Sequence, residues 1–166
     1  MSPDSKTGLD IWVLPMTGER KPTPFLQTPF NESGARFSPD GKWVAYWSFE
    51  SGNPEIYVQP FPPTGGKWQV SVDGGTSVEW GKDGKELFFV TPDNRLMSVA
   101  VESGTQFKAG VPKLLFQVPG LKNSTGAPSR FSVTRDGKRF LFVTSDTTTA
   151  GSPITVLLNW TSALKK

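Results

Sequence analysis

The chain has 166 residues, 18 Lys and Arg against 15 Asp and Glu, and neither cysteine nor histidine. Such a length buries roughly 70% of the surface that the unfolded chain exposes, enough for one sizeable core. Without cysteine there is no disulfide, thiolate nucleophile or Cys-built zinc site; without histidine the commonest general base and metal ligand is missing; and the formal charge of +3, scattered in ones and twos, predicts no nucleic-acid partner.

The amino terminus, "MSPDSKTG", is polar with no apolar segment, which predicts neither a signal peptide nor membrane insertion by this chain. From there on, Pro and Gly make up 32 of 166 residues, about 19% against an average near 12%, and they separate short apolar runs. No window of ten residues keeps a helical apolar period free of Gly or Pro, so the reading is all-β.

The first runs are "DIWVLPM" (Asp10 to Met16) and "PFLQ" (Pro24 to Gln27). "ARFSPDGKWVAY" follows at Ala35 to Tyr46 as a tight hairpin, and it recurs as "VEWGKDGKELFF" at Val78 to Phe89 and "FSVTRDGKRFLF" at Phe131 to Phe142. The turn pairs are Asp40 with Gly41, Asp83 with Gly84 and Asp136 with Gly137, spaced by 43 and 53 residues. In each, reversal with Asp at the third turn position requires positive φ at the next residue, which glycine accepts without a Cβ clash. Around each Asp the offsets repeat: Phe37, Trp80 and Val133 lie three before it, Val44, Leu87 and Phe140 four after, and Tyr46, Phe89 and Phe142 six after. "KWVAYW" is apolar on both faces, as befits a strand sandwiched between neighbours. The aromatics at register positions (Phe37, Tyr46, Trp80, Phe88, Phe89, Phe140, Phe142) are expected to fill the gaps between repeats.

Behind each hairpin comes a second element. "EIYVQPF" at Glu55 to Phe61 matches "DIWVLPM" at a spacing of 45, and "RLMSVAV" and "PITVLLNW" are looser versions. Short outer runs close each unit, "PFLQ" in the first, then "KWQVS" (Lys67 to Ser71) and "KLLFQ" (Lys113 to Gln117). A period in the forties with four strands per unit predicts a β-propeller of four-stranded antiparallel blades, about three of them, as an incomplete ring. Lettering the strands A to D from hub to rim, the expected units are residues 9–27 (C, D), 34–71 (complete), 76–117 (complete) and 128–160 (A, B, C). On this reading the chain starts in mid-blade, so that either it belongs to a longer propeller or copies of it assemble.

"FSPDGKWVAYWS" followed by "GNPEIYVQPFP" resembles the WD40-like propeller repeat of the TolB type, whose hallmark is an aromatic-Ser-Pro-Asp-Gly-Lys run followed by a strand of Ile-aromatic-Val. With "SPITVLLNWTSALKK" at the end, the chain from about Leu9 to Lys166 is similar to the carboxy-terminal propeller of acidobacterial-type serine/threonine kinases. The second and third copies depart from the hallmark, with Gly81-Lys82 and Thr134-Arg135 in place of Ser-Pro. The resemblance implies a bacterial, non-catalytic module that binds a protein or small ligand, the sensor or interaction part of a larger protein, in a periplasmic or other extracytoplasmic setting. It carries no kinase chemistry, since G-x-G-x-x-G, H-R-D and D-F-G are all missing from this sequence. Two alternatives stand beside it: the substrate-gating propeller of a prolyl-oligopeptidase-like peptidase whose catalytic domain is absent, and a self-assembling ring, a homo-oligomer through incomplete blades.

The expected site chemistry is sparse: no catalytic residue, no cofactor and no metal. The aspartates of the three turns are read as turn caps, because Asp at that place bonds its own backbone amides. No G-x-S-x-G is present and no histidine is available to activate a serine. Trp12, Tyr57 and Trp68, on outer strands, are the candidate anchors for a partner if exposed. The segment Pro119 to Ser129, "PGLKNSTGAPS", accounts for the longer second spacing and reads as a loop on one face.

Overall fold

The repeated turn sets the geometry of everything around it. In the computed structural model, which describes residues 8–104, 106–121, 130–134, 136–144 and 157–158, the Gly41 amide donates to the Ser38 carbonyl (2.9 Å) and Gly41 has φ of 71°. Gly84 and Gly137 do the same to Gly81 (3.0 Å) and Thr134 (2.8 Å), with φ of 69° and 68°. A tight turn followed by a left-handed residue matches the twist of the two strands that it joins.

Those strands are β3 (Glu32–Phe37) with β4 (Trp43–Ser48), β7 (Ser77–Trp80) with β8 (Glu86–Val90), and β12 (Phe131–Val133) with β13 (Arg139–Phe142). All three pairs share one register: Phe37 faces Val44, Trp80 faces Leu87 and Val133 faces Phe140. The remaining strands are β1 (Ile11–Val13), β2 (Thr23–Leu26), β5 (Glu55–Pro60), β6 (Trp68–Gln69), β9 (Arg95–Ser103), β10 (Phe107–Ala109), β11 (Lys113–Gln117) and β14 (Leu157–Leu158). The described residues contain no helix. They form antiparallel sheets ordered β1-β2, β3-β4-β5-β6, β7-β8-β9 with β10 and β11 both on β9, and β12-β13-β14, which are successive blades of a propeller.

One sheet has a strand more than the four expected. β9 runs for nine residues, so that its inner part pairs with β11 and its far end forms a second hairpin with β10. The alternation continues past "RLMSVAV" because it gains burial: Val101 and Phe107 are buried, and Phe107 lies 5.3 Å from the Trp43 ring and 5.6 Å from Trp68 of the preceding blade.

The core is divided into layers between blades. β4 is buried on both faces: Trp43 and Ala45 pack with Leu87, Phe89 and Val99 of the next blade, whereas Val44 and Tyr46 pack with Ile11 and Phe25 of the preceding one. β8 repeats the arrangement, Leu87 and Phe89 facing back and Phe88 and Val90 facing forward onto Phe131 and Phe140. Period-two alternation thus delivers each strand to two interfaces.

Phe37 departs from the expected role. It is 51% exposed, whereas Trp80 at the same place in the next repeat is only 8% exposed. Trp80 is covered by the inner strand of the preceding blade, where its indole N–H donates to the Arg36 carbonyl (3.1 Å). Phe37 faces a blade that has only β1 and β2 among the described residues, and it meets the edge of Phe61 at 5.0 Å instead.

Buried carboxylates tie the blades to their connections. Glu55 accepts from the Ser71 hydroxyl and the Gly74 amide (3.0 Å). Glu32, 1% exposed, accepts from Thr28 and Ser48 through Oε1, while Oε2 is buried without a hydrogen-bond partner. Burial pushes its carboxyl above the ordinary 4.5, outweighing the two hydroxyl donors. The folded state therefore holds the proton more tightly than the unfolded chain, so Glu32 favours folding below pH 4.5 and that contribution is lost as pH rises through the shifted value. Glu32→Gln is expected to flatten this part of the pH dependence and to raise stability at neutral pH, measured by urea unfolding across the acid range; a steeper dependence would contradict it. At Gly75 an added Cβ would sit 2.5 Å from Ile56 Cγ1 in the core. Gly75→Ala should lower the unfolding free energy by about 1–3 kcal/mol with an unchanged denaturant slope.

Candidate functional site

The inner strands β3, β7 and β12 end side by side at Phe37, Trp80 and Val133, and the turns that follow rim a cavity of about 380 Å³. Arg36, Phe37, Glu79, Trp80, Lys82 and Thr134 bring its chemistry. Arg36 Nε donates to Glu79 Oε1 (2.9 Å) across the two blades, and Nη1 donates to the Ala35 carbonyl (3.0 Å). Both side chains are partly exposed, so the pair orients the guanidinium more than it stabilises the fold. Lys82 is exposed on the rim, Pro39 stands at the same place in the first turn, and Thr134 lines the cavity from the third. Two cations, one carboxylate and two aromatic rings around one opening suit a compact ligand that has an anionic group and an apolar face.

A smaller cavity of about 190 Å³ is lined by Val72, Asp73, Thr91, Arg95, Met97 and Val111. It lies beside a turn that reuses the repeated chemistry. Thr91-Pro92-Asp93-Asn94 joins β8 to β9, with the Asn94 amide on the Thr91 carbonyl (3.0 Å) and Asn94 at φ of 65° in the place of glycine. Asn tolerates this left-handed conformation, and "TPDNR" against "SPDGK" was the available signal. Asn94 also donates to the Leu121 carbonyl (3.2 Å) and accepts from Arg130 (3.4 Å). Arg130 is buried, and burial lowers its affinity for the proton.

The turn aspartates each serve their own turn. Asp40 accepts from the Ser38 hydroxyl (2.6 Å) and the Lys42 amide (3.1 Å), Asp83 from the Lys85 amide (3.0 Å), and Asp136 from Thr134 and the Lys138 amide (3.1 Å). The hydroxyl donor holds the carboxyl of Asp40, and likewise that of Asp136, below the ordinary 3.8. In the second copy Gly81 stands where the hydroxyl residue would be.

The three aromatic anchors do not come together. Trp12 is 50% exposed on β1, and Trp68 is half-buried against Trp43 (5.6 Å) and Phe107. Tyr57 is only 3% exposed and is no surface anchor: its ring stacks on Tyr46 (6.0 Å) in the layer below the first blade, and Lys67 Nζ lies 5.2 Å over it. Of the Pro119 to Ser129 loop, residues 122–129 lie outside the described residues. What sequence reasoning missed is the charged pair of the cavity. Arg36 and Glu79 both sit four residues before their Asp, opposite charges at one repeat offset, and that coincidence was legible.

No family model and no curated relative matches the sequence. Similar solved structures are an oligogalacturonate lyase from Vibrio parahaemolyticus (16% identity, 82% of this chain and 34% of that chain, TM-score 0.52) and a chain of the nidogen/laminin complex (18% identity, 82% and 50%, TM-score 0.56). TolB from Acinetobacter baumannii is similar at 20% identity over 87% and 44%, with a TM-score of 0.44. The chain therefore spans between a third and a half of the length of these proteins. At such identities the likeness shows the fold, an all-β propeller, while membership of the kinase-linked group is not part of what it shows. The expectation of a non-catalytic chain is corrected here: a lyase stands among the similar structures, so this architecture gives no ground for setting enzymes aside.

The turn analysis yields a direct test. Asp40→Ala should destabilise the chain by about 0.5–1.5 kcal/mol through the lost turn bonds. Thermal unfolding measures it, and ligand binding by the folded fraction should remain unchanged; a stable variant with lost binding would assign Asp40 to the site instead.

Proposed function

We infer that the chain is a binding module of a larger protein and that its site is the cavity where the three inner strands end. The observation that carries this reading is convergence: the last residues of the inner strands and the turns that follow, from three blades, bring Arg36, Glu79, Trp80, Lys82 and Thr134 to one opening. Turn residues elsewhere are occupied in their own hairpins, but here the side chains beside the turns face a shared space. The ligand class is a compact carboxylate, either a small molecule or the free end of a peptide, seated with its charge between Arg36 and Lys82 and its apolar side on Trp80. The kinase-linked, extracytoplasmic setting rests on the sequence resemblance.

The test is a titration of the labelled protein with a uronate monosaccharide and with a short peptide that has a free carboxy terminus, followed by amide shifts. Binders should perturb residues 36–39, 79–82 and 133–134, and Lys82→Ala should weaken them about tenfold, the worth of one charge-assisted hydrogen bond. Lys42→Ala, on the first turn but not among the residues that line the cavity, should leave affinity unchanged. Shifts confined to the smaller cavity, or equal loss in both variants, would refute the assignment.

A further inference from the structure

The smaller cavity lies at the other end of the strands from the larger one: β7 follows the wall that Val72 and Gly74 give to the first and runs to Trp80 in the second. Two of its lining residues carry the most exposed large apolar side chains among the described residues, Val111 at 81% and Val72 at 73%, and they stand on successive blades over Met97 and the buried Phe89. Apolar side chains left in water around one cleft mark a place where something binds. Charge belongs to the same cleft. Asp73 follows Val72 on one wall, and Arg95 stands on the other, on the face of β9 that also presents Met97.

Both charges rest on built networks. The Gly74 amide donates to the buried Glu55 (3.0 Å), the Gly75 amide donates to the Pro54 carbonyl (2.7 Å), and a Cβ added at Gly74 would meet Pro92 Cδ at 2.8 Å, so the backbone that holds Asp73 is fixed between two blades. On the far wall the Arg95 amide donates to the Thr91 hydroxyl (3.0 Å), that hydroxyl donates to Asp93 (2.5 Å), and Asp93 Oδ2 lies 2.7 Å from Arg95 Nε. A guanidinium has five donors, and among the described residues the Nη amines of Arg95 make no hydrogen bond, which leaves them for a further anion. Asp93 first, and Asp73 more weakly, strengthen the hold of Arg95 on its proton. Yet Asp73 makes no ion pair with Arg95 among the described residues, so two opposite charges share one opening without meeting.

We propose that this cleft binds a free aliphatic α-amino acid, with its carboxylate on the Nη amines of Arg95, its ammonium on Asp73 and its side chain between Val72, Val111 and Met97. One small molecule then answers both charges and the apolar walls. Size argues the same way: the cavity of about 190 Å³ falls below the roughly 300–1,000 Å³ of sites for drug-sized ligands. A simple carboxylate would leave Asp73 unanswered, and a simple amine would leave Arg95 so. The site is separate from the larger cavity and does not depend on the reading given for it.

The experiment is a titration of the labelled chain with L-leucine, followed by amide shifts, beside N-acetylleucine, which lacks the ammonium, and leucinamide, which lacks the carboxylate. Leucine should perturb residues 72–74, 95–97 and 111, and each blocked analogue should bind about tenfold more weakly, the worth of one charge-assisted hydrogen bond. Asp73 is exposed and its side chain makes no hydrogen bond among the described residues, so Asp73→Asn keeps the fold. That variant should weaken leucine about tenfold and leave N-acetylleucine unchanged, because the analogue has no ammonium to lose. Lys82→Ala, at the larger cavity, should leave leucine unchanged. No shift with leucine, shifts confined to residues 36–39 and 79–82, or leucine affinity unchanged in Asp73→Asn would overturn the proposal. Leucinamide bound as tightly as leucine would also overturn it, in favour of the amino end of a peptide, and N-acetylleucine bound as tightly would do so in favour of a carboxy end.

Discussion

Everything in this molecule depends on strands that are buried on both faces. Tyr46, Phe88 and Phe89 are each at most 1% exposed, and each belongs to a strand whose other face is also covered. Burial of one such side chain stabilises by roughly 1.5–3 kcal/mol. A single blade offers a cover for neither face of its own central strands, so no blade can hold that contribution alone. Blades must stack, and stability accrues at the interfaces between them. The exposure of Phe37 next to the burial of Trp80 shows the rule at its margin: the same repeat position changes environment where the preceding blade has only β1 and β2 among the described residues.

The second organising element is the turn. A hydroxyl donates to a carboxylate two residues on at Ser38-Asp40, Thr91-Asp93 and Thr134-Asp136; two backbone amides bond to this pair in the first and third turns, and the Arg95 amide bonds to Thr91 in the second. Because the bonds are local, the turn tolerates change at single positions, as Gly81 and Asn94 demonstrate. The same locality keeps these carboxylates bonded within their own hairpins.

That division explains why fold and function separate here. The architecture is shared with proteins as different as a lyase and a chain of the nidogen/laminin complex, since inter-blade packing asks only for alternating apolar strands and tight turns. Around its larger cavity this chain carries an ion pair that bridges two blades, a lysine on the rim and an indole whose N–H is already bound to backbone.

The sequence by itself determined the hairpins, their register and the all-β propeller class, because a turn signal and a period of two are local properties that the chain writes in each repeat. It also marked the turn aspartates through their fixed offset from glycine. Only the tertiary structure decided that Tyr57 is buried, that β9 extends to carry β10 across onto Trp43, and that Arg36 meets Glu79. Each of these depends on the neighbouring blade, forty or more residues away in the chain, and distance in sequence hides what stacking brings within 3 Å.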